Sequence, residues 1–239
     1  MAIQSTVSPV WTIDMDDANH SSSEEAFVID DLLELFVDHT PINVNQPMVI
    51  GLDYNDGPIT LWDNLHVNLN TKGPQIFNQT VFQLAHELAH FTTHVAPLTV
   101  TWFNEVLCEI AAETFLDLMY EKWASSSDQV KQGYAFNFAL YKSIMLQQTI
   151  SFDLEALQDA DSDVCLYLQQ NATNYNLNRT IAMQMVPLAH SEPSFWKLLP
   201  YTFNLKHAET LAACLDELSR RLPYELKHIA TDISTLFPH

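Results

Sequence analysis

Through most of this chain, hydrophobic positions recur at three- and four-residue intervals; in one window, residues 47–70, they alternate instead. The 3.6-residue period marks amphipathic helices and the two-residue period marks half-buried strands. The first helical signal follows SSSEE at 21–25, where serine caps and first-turn acids precede Val28, Leu32, Leu35 and Phe36. Thr40-Pro41 closes it, because proline disfavours helical backbone in the residue before it. Residues 1–20 show no sustained period and are expected to form an irregular arm.

Within the alternating window, PMVIGLD and ITLWD flank a turn at 54–58 whose Asp-Gly is a hairpin signal. LHVNLN then places Leu65, Val67 and Leu69 on one face and His66, Asn68 and Asn70 on the other. After the turn TKGP at 71–74 the helical period returns in VFQLAHELAHFTTH, residues 81–94, with Val81, Leu84, Ala85 and Leu88 forming the apolar face. Pro97 ends that helix or the loop beyond it, and a second helix is expected over about 102–123. SSSD at 125–128 is the one plausible boundary. Beyond it the pattern predicts helices only, at about 129–148, 153–171, 178–189, 207–222 and 223–236. The expected organisation is a domain over 1–124, with its arm at 1–20, and an all-helical C-terminal half over 125–239.

A hydrophobic content of 47% identifies a folded chain long enough for a sizeable core, and four glycines suit a mainly helical one. The formal charge of −20 argues against nucleic acid and anionic membrane as partners. No run of about 18 apolar residues and no signal-peptide pattern is present. The three cysteines, Cys108, Cys165 and Cys214, are odd in number, far apart and outside CxxC pairs, which fits a reducing compartment. The expectation is a cytoplasmic protein; its oligomeric state cannot be read from the chain.

The chemistry concentrates in the helix at 81–94. His86-Glu87-Leu88-Ala89-His90 spells HExxH, which on a helix projects two imidazoles from successive turns toward one ion. Glu87 sits about 100° further round, placed to handle the proton of a water without ligating the metal. His94 continues the stripe but is better read as peripheral to the site. The following helix carries Glu105, Glu109 and Glu113 on one face, continued by Asp117 and Glu121. Like charges at this spacing cost a few tenths of a kcal/mol per pair. Asp117 and Glu121 read as a solvated acidic face. Glu105 and Glu109 lie among Trp102, Phe103, Val106, Leu107 and Ile110, so their burial is expected, and buried carboxylates require cations or donors. Cys108, between them, reads as a small buried residue.

HELAH followed by WFNEVLCE resembles the gluzincin branch of zinc metallopeptidases, which includes the thermolysin-like enzymes. The resemblance covers roughly residues 47–120. It implies an α+β fold with a zincin-like core, in which a small mixed sheet supports an active-site helix and a glutamate helix. It also implies a Zn²⁺ cofactor held by His86, His90 and Glu105, Glu109 behind His86, and Glu87 as general base. The substrate would be a peptide or protein lying extended along the edge of LHVNLN, with a Tyr or His stabilising the oxyanion. His190, His207, His228, Tyr134, Tyr141 and Tyr201 are the candidates for that last role, each more often structural. Three departures are visible. Only 14 residues separate His90 from Glu105, while 18 separate it from Glu109, so the two glutamates can exchange roles. The Gly-x-Met-Glu-Asn signature of the aminopeptidases is missing, and the metzincin pattern fails at Thr93 and Ala96. Two rival readings remain: a catalytically idle zincin-like domain serving as a binding or regulatory module, and a helical interaction protein with an accidental HExxH.

Overall fold

The computed structural model describes the chain except residues 18, 56, 74, 94–99, 204, 206–208 and 238–239. His94, Pro97 and His207 lie outside the described residues. Elsewhere the chain is α+β: a five-stranded mixed sheet followed by a largely helical remainder.

The N-terminal segment is not an irregular arm. It contributes β1 (Ile3–Gln4) and β2 (Trp11–Asp14) to the sheet. Trp11 and Ile13 are fully buried while Asp14 faces out, a two-residue alternation too short to stand out beside longer runs. The Trp11 indole N–H donates to the Gln46 carbonyl at 2.9 Å, which satisfies its polar end inside the core. Helix α1 (Ser22–His39) then crosses over and buries Val28, Ile29, Leu32, Leu33 and Phe36. It returns the chain to β3 (Met48–Leu52), which runs parallel to β2 with Ile13 opposite Ile50.

The expected hairpin across residues 54–58 does not form. β4 (Ile59–Leu61) and β5 (His66–Leu69) pair with each other instead, antiparallel, with Thr60 opposite Val67. β5 also pairs with β3 in parallel, giving the order β1-β2-β3-β5-β4. The strand with the strongest alternation is therefore interior, and its edge is not open to a substrate. β4 occupies the sheet edge. Packing decides this arrangement. Val67, Asn68 and Leu69 are all buried, whereas only Thr60 is buried in β4, so the longer apolar strand takes the covered position. Leu65 stands in the turn before β5 rather than in the strand, with a left-handed φ of 58°.

Helix α2 (Phe77–Thr93) lies against the sheet and against α3 (Trp102–Ala124). Helix α3 begins at a capping box. The Thr101 hydroxyl accepts from the Asn104 backbone N–H, and the Asn104 side chain accepts from the Thr101 N–H. From Trp102 to Leu116 every residue of α3 is buried. A helix covered all round is a central one. α2 packs on one side of it, and α5 (Phe136–Leu146) and α7 (Tyr175–Ser191) pack on others. Buried residues from before and after residue 125 join in one continuous core.

The rest of the helical half is shorter-jointed than the periodicity predicts. α4 (Gln129–Tyr134) meets α5 at Ala135, and the stretch 153–171 splits into a 3-10 turn and α6 (Asp163–Gln170), capped by Ser162. A further 3-10 turn, Phe195–Tyr201, buries Phe195 and Trp196 where no element is expected. α8 (Leu211–Arg221) and α9 (Lys227–Thr235) close the chain. Among the described residues no helix is long and apolar enough to cross a membrane.

Candidate metal centre

The site forms where α2, α3, β4 and the start of α7 meet. His86 and His90, one turn apart on α2, have ring centroids 5.1 Å apart. Helix α3 brings the Glu105 carboxylate between them. One oxygen lies 3.3 Å from His86 Nε2 and the other 3.3 Å from His90 Nε2. All three side chains are at least nine-tenths buried. Glu109, one turn further along α3, faces the other nitrogen of His86, Nδ1, at 3.5 Å. The Cys108 thiol lies in the same cluster. A ring nitrogen of each histidine and the Cys108 sulfur fall within 4.8 Å of one another, so a buried His-His-Cys group can hold a metal ion.

Electrostatics separates the two possible third donors. Burial pushes the Cys108 thiol well above its ordinary value, and the charges of Glu105, Glu87 and Glu109 push it further, so the sulfur keeps its proton. Burial also opposes the Glu105 carboxylate, but His90 and His86 outweigh it and hold Glu105 well below the usual carboxylate range. Glu105 is thus a ready anionic donor, and Cys108 must first lose a proton. For His86, burial disfavours the charge, yet Glu105 and Glu109 more than compensate and raise its pKa well above the usual imidazole range.

Glu87 points toward the same space without approaching the donors. Its carboxylate oxygen Oε2 accepts from the Thr60 hydroxyl at 2.9 Å, which ties α2 to β4. Burial raises its pKa, with His90, His86 and Thr60 opposing. A cavity of about 220 Å³ opens over His86, Glu87, His90 and Glu105, walled by Ile59 and Thr60 of β4 and by Tyr175. The Tyr175 ring meets His86 edge-on at 5.8 Å, and it also borders a second cavity of about 280 Å³ on the other side of His86.

Behind Glu109 stands Arg179, only 1% exposed. Its guanidinium reaches Glu109 Oε2 at 2.9 Å and Glu113 Oε1 at 3.1 Å. One cation is shared by two buried carboxylates. Burial, together with the nearby Glu109 charge, lifts Glu113 to about 7 against the pull of Lys142 and Arg179. The sign of its linkage follows. Folding takes up a proton between the ordinary value of 4.5 and about 7, so the Glu113 contribution is fullest below 4.5 and is lost as pH rises to about 7. Glu113→Gln should remove that slope, amounting to roughly 1–3 kcal/mol across the window. Denaturation midpoints of both proteins at a series of pH values measure it, and parallel curves would refute it.

The other sequence candidates lie elsewhere. Asp117, expected on a solvated face, is partly exposed and pairs with Lys142 and with His190 at 3.0 Å, and Glu121 is exposed. His228 faces Glu192 at the surface, and Tyr134 sits in an aromatic cluster with Phe77, Trp123 and Phe138. Tyr141 lines the second cavity and not the first. Thr60, Tyr175 and Arg179 were not singled out from the chain. Tyr175 and Arg179 carried a usable signal: they are four residues apart, on one face of a helix whose neighbours Leu177, Ile181 and Ala182 are apolar. Compared with protein-family models, curated proteins and solved structures, the chain finds no match.

Proposed function

We propose that the protein is a zinc-dependent peptidase of zincin-like architecture, with His86, His90 and Glu105 as the metal-binding side chains. The observation that carries this reading is the buried Glu105 carboxylate set between the two imidazoles, one oxygen toward each. Four ligands at roughly 2.0–2.1 Å around a tetrahedral zinc stand about 3.3–3.4 Å apart. Each Glu105 oxygen lies 3.3 Å from one imidazole nitrogen, Oε2 from His86 and Oε1 from His90, and Oε2 makes no hydrogen bond although it is buried. A buried carboxylate oxygen left without a hydrogen bond beside two imidazoles suits a shared cation. Two imidazoles and a carboxylate also suit zinc chemically, and His86, His90 and Glu105 all border the first cavity.

Zinc bound there supplies Lewis acidity, which lowers the pKa of a water and polarises a scissile carbonyl. The remaining work falls to the chain. Glu87 takes the proton of the attacking water and passes it to the leaving amine; its raised pKa brings it closer to neutral pH, where a base of this kind is most effective. Thr60 holds the Glu87 carboxylate in place. Glu109 holds His86 at Nδ1, which directs Nε2 toward the metal. Burial and the charges of Glu105 and Glu87 keep the Tyr175 phenol protonated, so it can donate to a developing oxyanion. β4, with only one neighbour in the sheet, offers its free edge to an extended peptide beside the cavity.

Metal content of protein purified without added zinc tests the reading. The expected result is about one zinc per chain, abolished by His86→Ala or His90→Ala. Glu105→Gln should weaken binding more than Glu109→Gln, because a lost ligand costs more than a lost orienting partner. The opposite order would exchange the two glutamates' roles, and the absence of any bound metal would remove the proposal.

A further inference from the structure

We infer that Glu113 is a positioning residue for the metal centre, acting on His86 through Arg179 and Glu109; this rests on the metal-site reading above. Four side chains form a continuous buried relay across three helices, α2, α3 and α7. His86 Nδ1 faces Glu109 Oε1 at 3.5 Å, Glu109 Oε2 takes Arg179 at 2.9 Å, and Arg179 Nε reaches Glu113 Oε1 at 3.1 Å. The last three are each at most 1% exposed. Burying a guanidinium with two carboxylates costs desolvation that a plain structural contact would avoid, so the arrangement calls for a purpose beyond packing.

The geometry supplies one. Arg179 also borders the second cavity. Its guanidinium is flanked on three sides: by the Glu109 and Glu113 carboxylates as ion pairs, and by the Met145 carbonyl, to which Nη1 donates at 3.4 Å. Glu113 lines neither of the two cavities and touches none of His86, His90 and Glu105, so it reaches the centre through Arg179 and Glu109. Arg179 in turn sets the plane of the Glu109 carboxylate, and that plane fixes which His86 nitrogen carries the proton.

The test is a double-mutant cycle on zinc affinity, read by competition with a chromogenic chelator on the full chain. Partners behind a ligating histidine are worth about 10–100-fold in affinity. Glu113, one step further back, is expected at the lower end. Glu113→Leu should weaken zinc binding about tenfold in the otherwise unchanged protein and by less than about twofold in a Glu109→Gln background. Glu113→Gln, which keeps an oxygen of the same shape facing Arg179, should restore most of the affinity. Arg179→Lys, which keeps the charge but loses the fork, should show the same dependence on Glu109 and serves in place of Glu113→Leu if the latter fails to fold. Equal losses in both backgrounds would mean that Glu113 is merely structural, and no loss in either would also overturn the inference. An unmutated protein that binds no zinc would instead overturn the metal-site reading beneath it.

Discussion

Glu87→Gln is expected to keep its zinc and its fold while peptide hydrolysis falls by about 10²–10⁴-fold, the usual worth of a general base. The two halves of this expectation come from different parts of the structure. Metal retention follows because Glu87 is not among the donors that converge on Glu105. The loss of rate follows because a carboxamide cannot accept the water's proton. Folding should survive, since Gln preserves the shape and still accepts from the Thr60 hydroxyl that Glu87 engages at 2.9 Å. It also removes a buried carboxyl whose ionisation burial opposes. The measurement is a digest of a broad peptide library by both proteins, with metal content determined in each. Equal cleavage would show that another base operates or that a contaminant is responsible. If the zinc-loaded unmutated protein cleaves nothing across peptides and folded proteins, a binding module becomes the better reading.

The parts of the site that lie close together in sequence were legible, and the parts that meet only in three dimensions were not. HELAH needs only a helix to set its two imidazoles on one side, and that helix is announced by Val81, Leu84 and Leu88. The start of α3 is equally local, fixed by Thr101 and Asn104. Burial of Glu105 and Glu109 could be read from their apolar neighbours. The identity of the cation that answers them could not, since the chain has ten lysines and arginines and Arg179 lies 70 residues beyond Glu109. The question itself was available: three buried acids on one helix demand a positive partner on another.

The sheet failed for a related reason. The Asp56-Gly57 pair is a strong hairpin signal, but the pairing it suggests competes with β5, whose Val67 and Leu69 gain more by lying between β3 and β4. Local turn preference lost to burial. Trp11 and Ile13 were missed because four residues are too few for a periodicity to show, although both are fully buried in the sheet. These failures bear directly on function. They moved the open strand edge from LHVNLN to ITL, and so moved the wall of the cavity to Ile59 and Thr60.

Arg179→Met should be among the most destabilising single substitutions in the protein. Methionine fills much of the same volume among Phe82, Tyr141 and Met145, so the loss is chiefly one of charge. Two carboxylates at 2.9 and 3.1 Å would then be buried with no guanidinium between them. Removing one partner of a buried pair typically costs about 3–5 kcal/mol. At roughly 2–4 °C per kcal/mol for a chain of this size, the melting temperature should fall by on the order of 10 °C. The pH dependence identifies the cause. Without Arg179 the folded-state pKa of Glu113, already raised to about 7, rises further above that of the unfolded chain. Stability is then fully present only below the unfolded carboxyl value and is lost as pH rises. The deficit of the variant should therefore be small near pH 4 and should widen steadily toward pH 8. A simple packing defect would give a constant deficit across that range, and a melting temperature unchanged at pH 8 would mean that the buried acids find another partner.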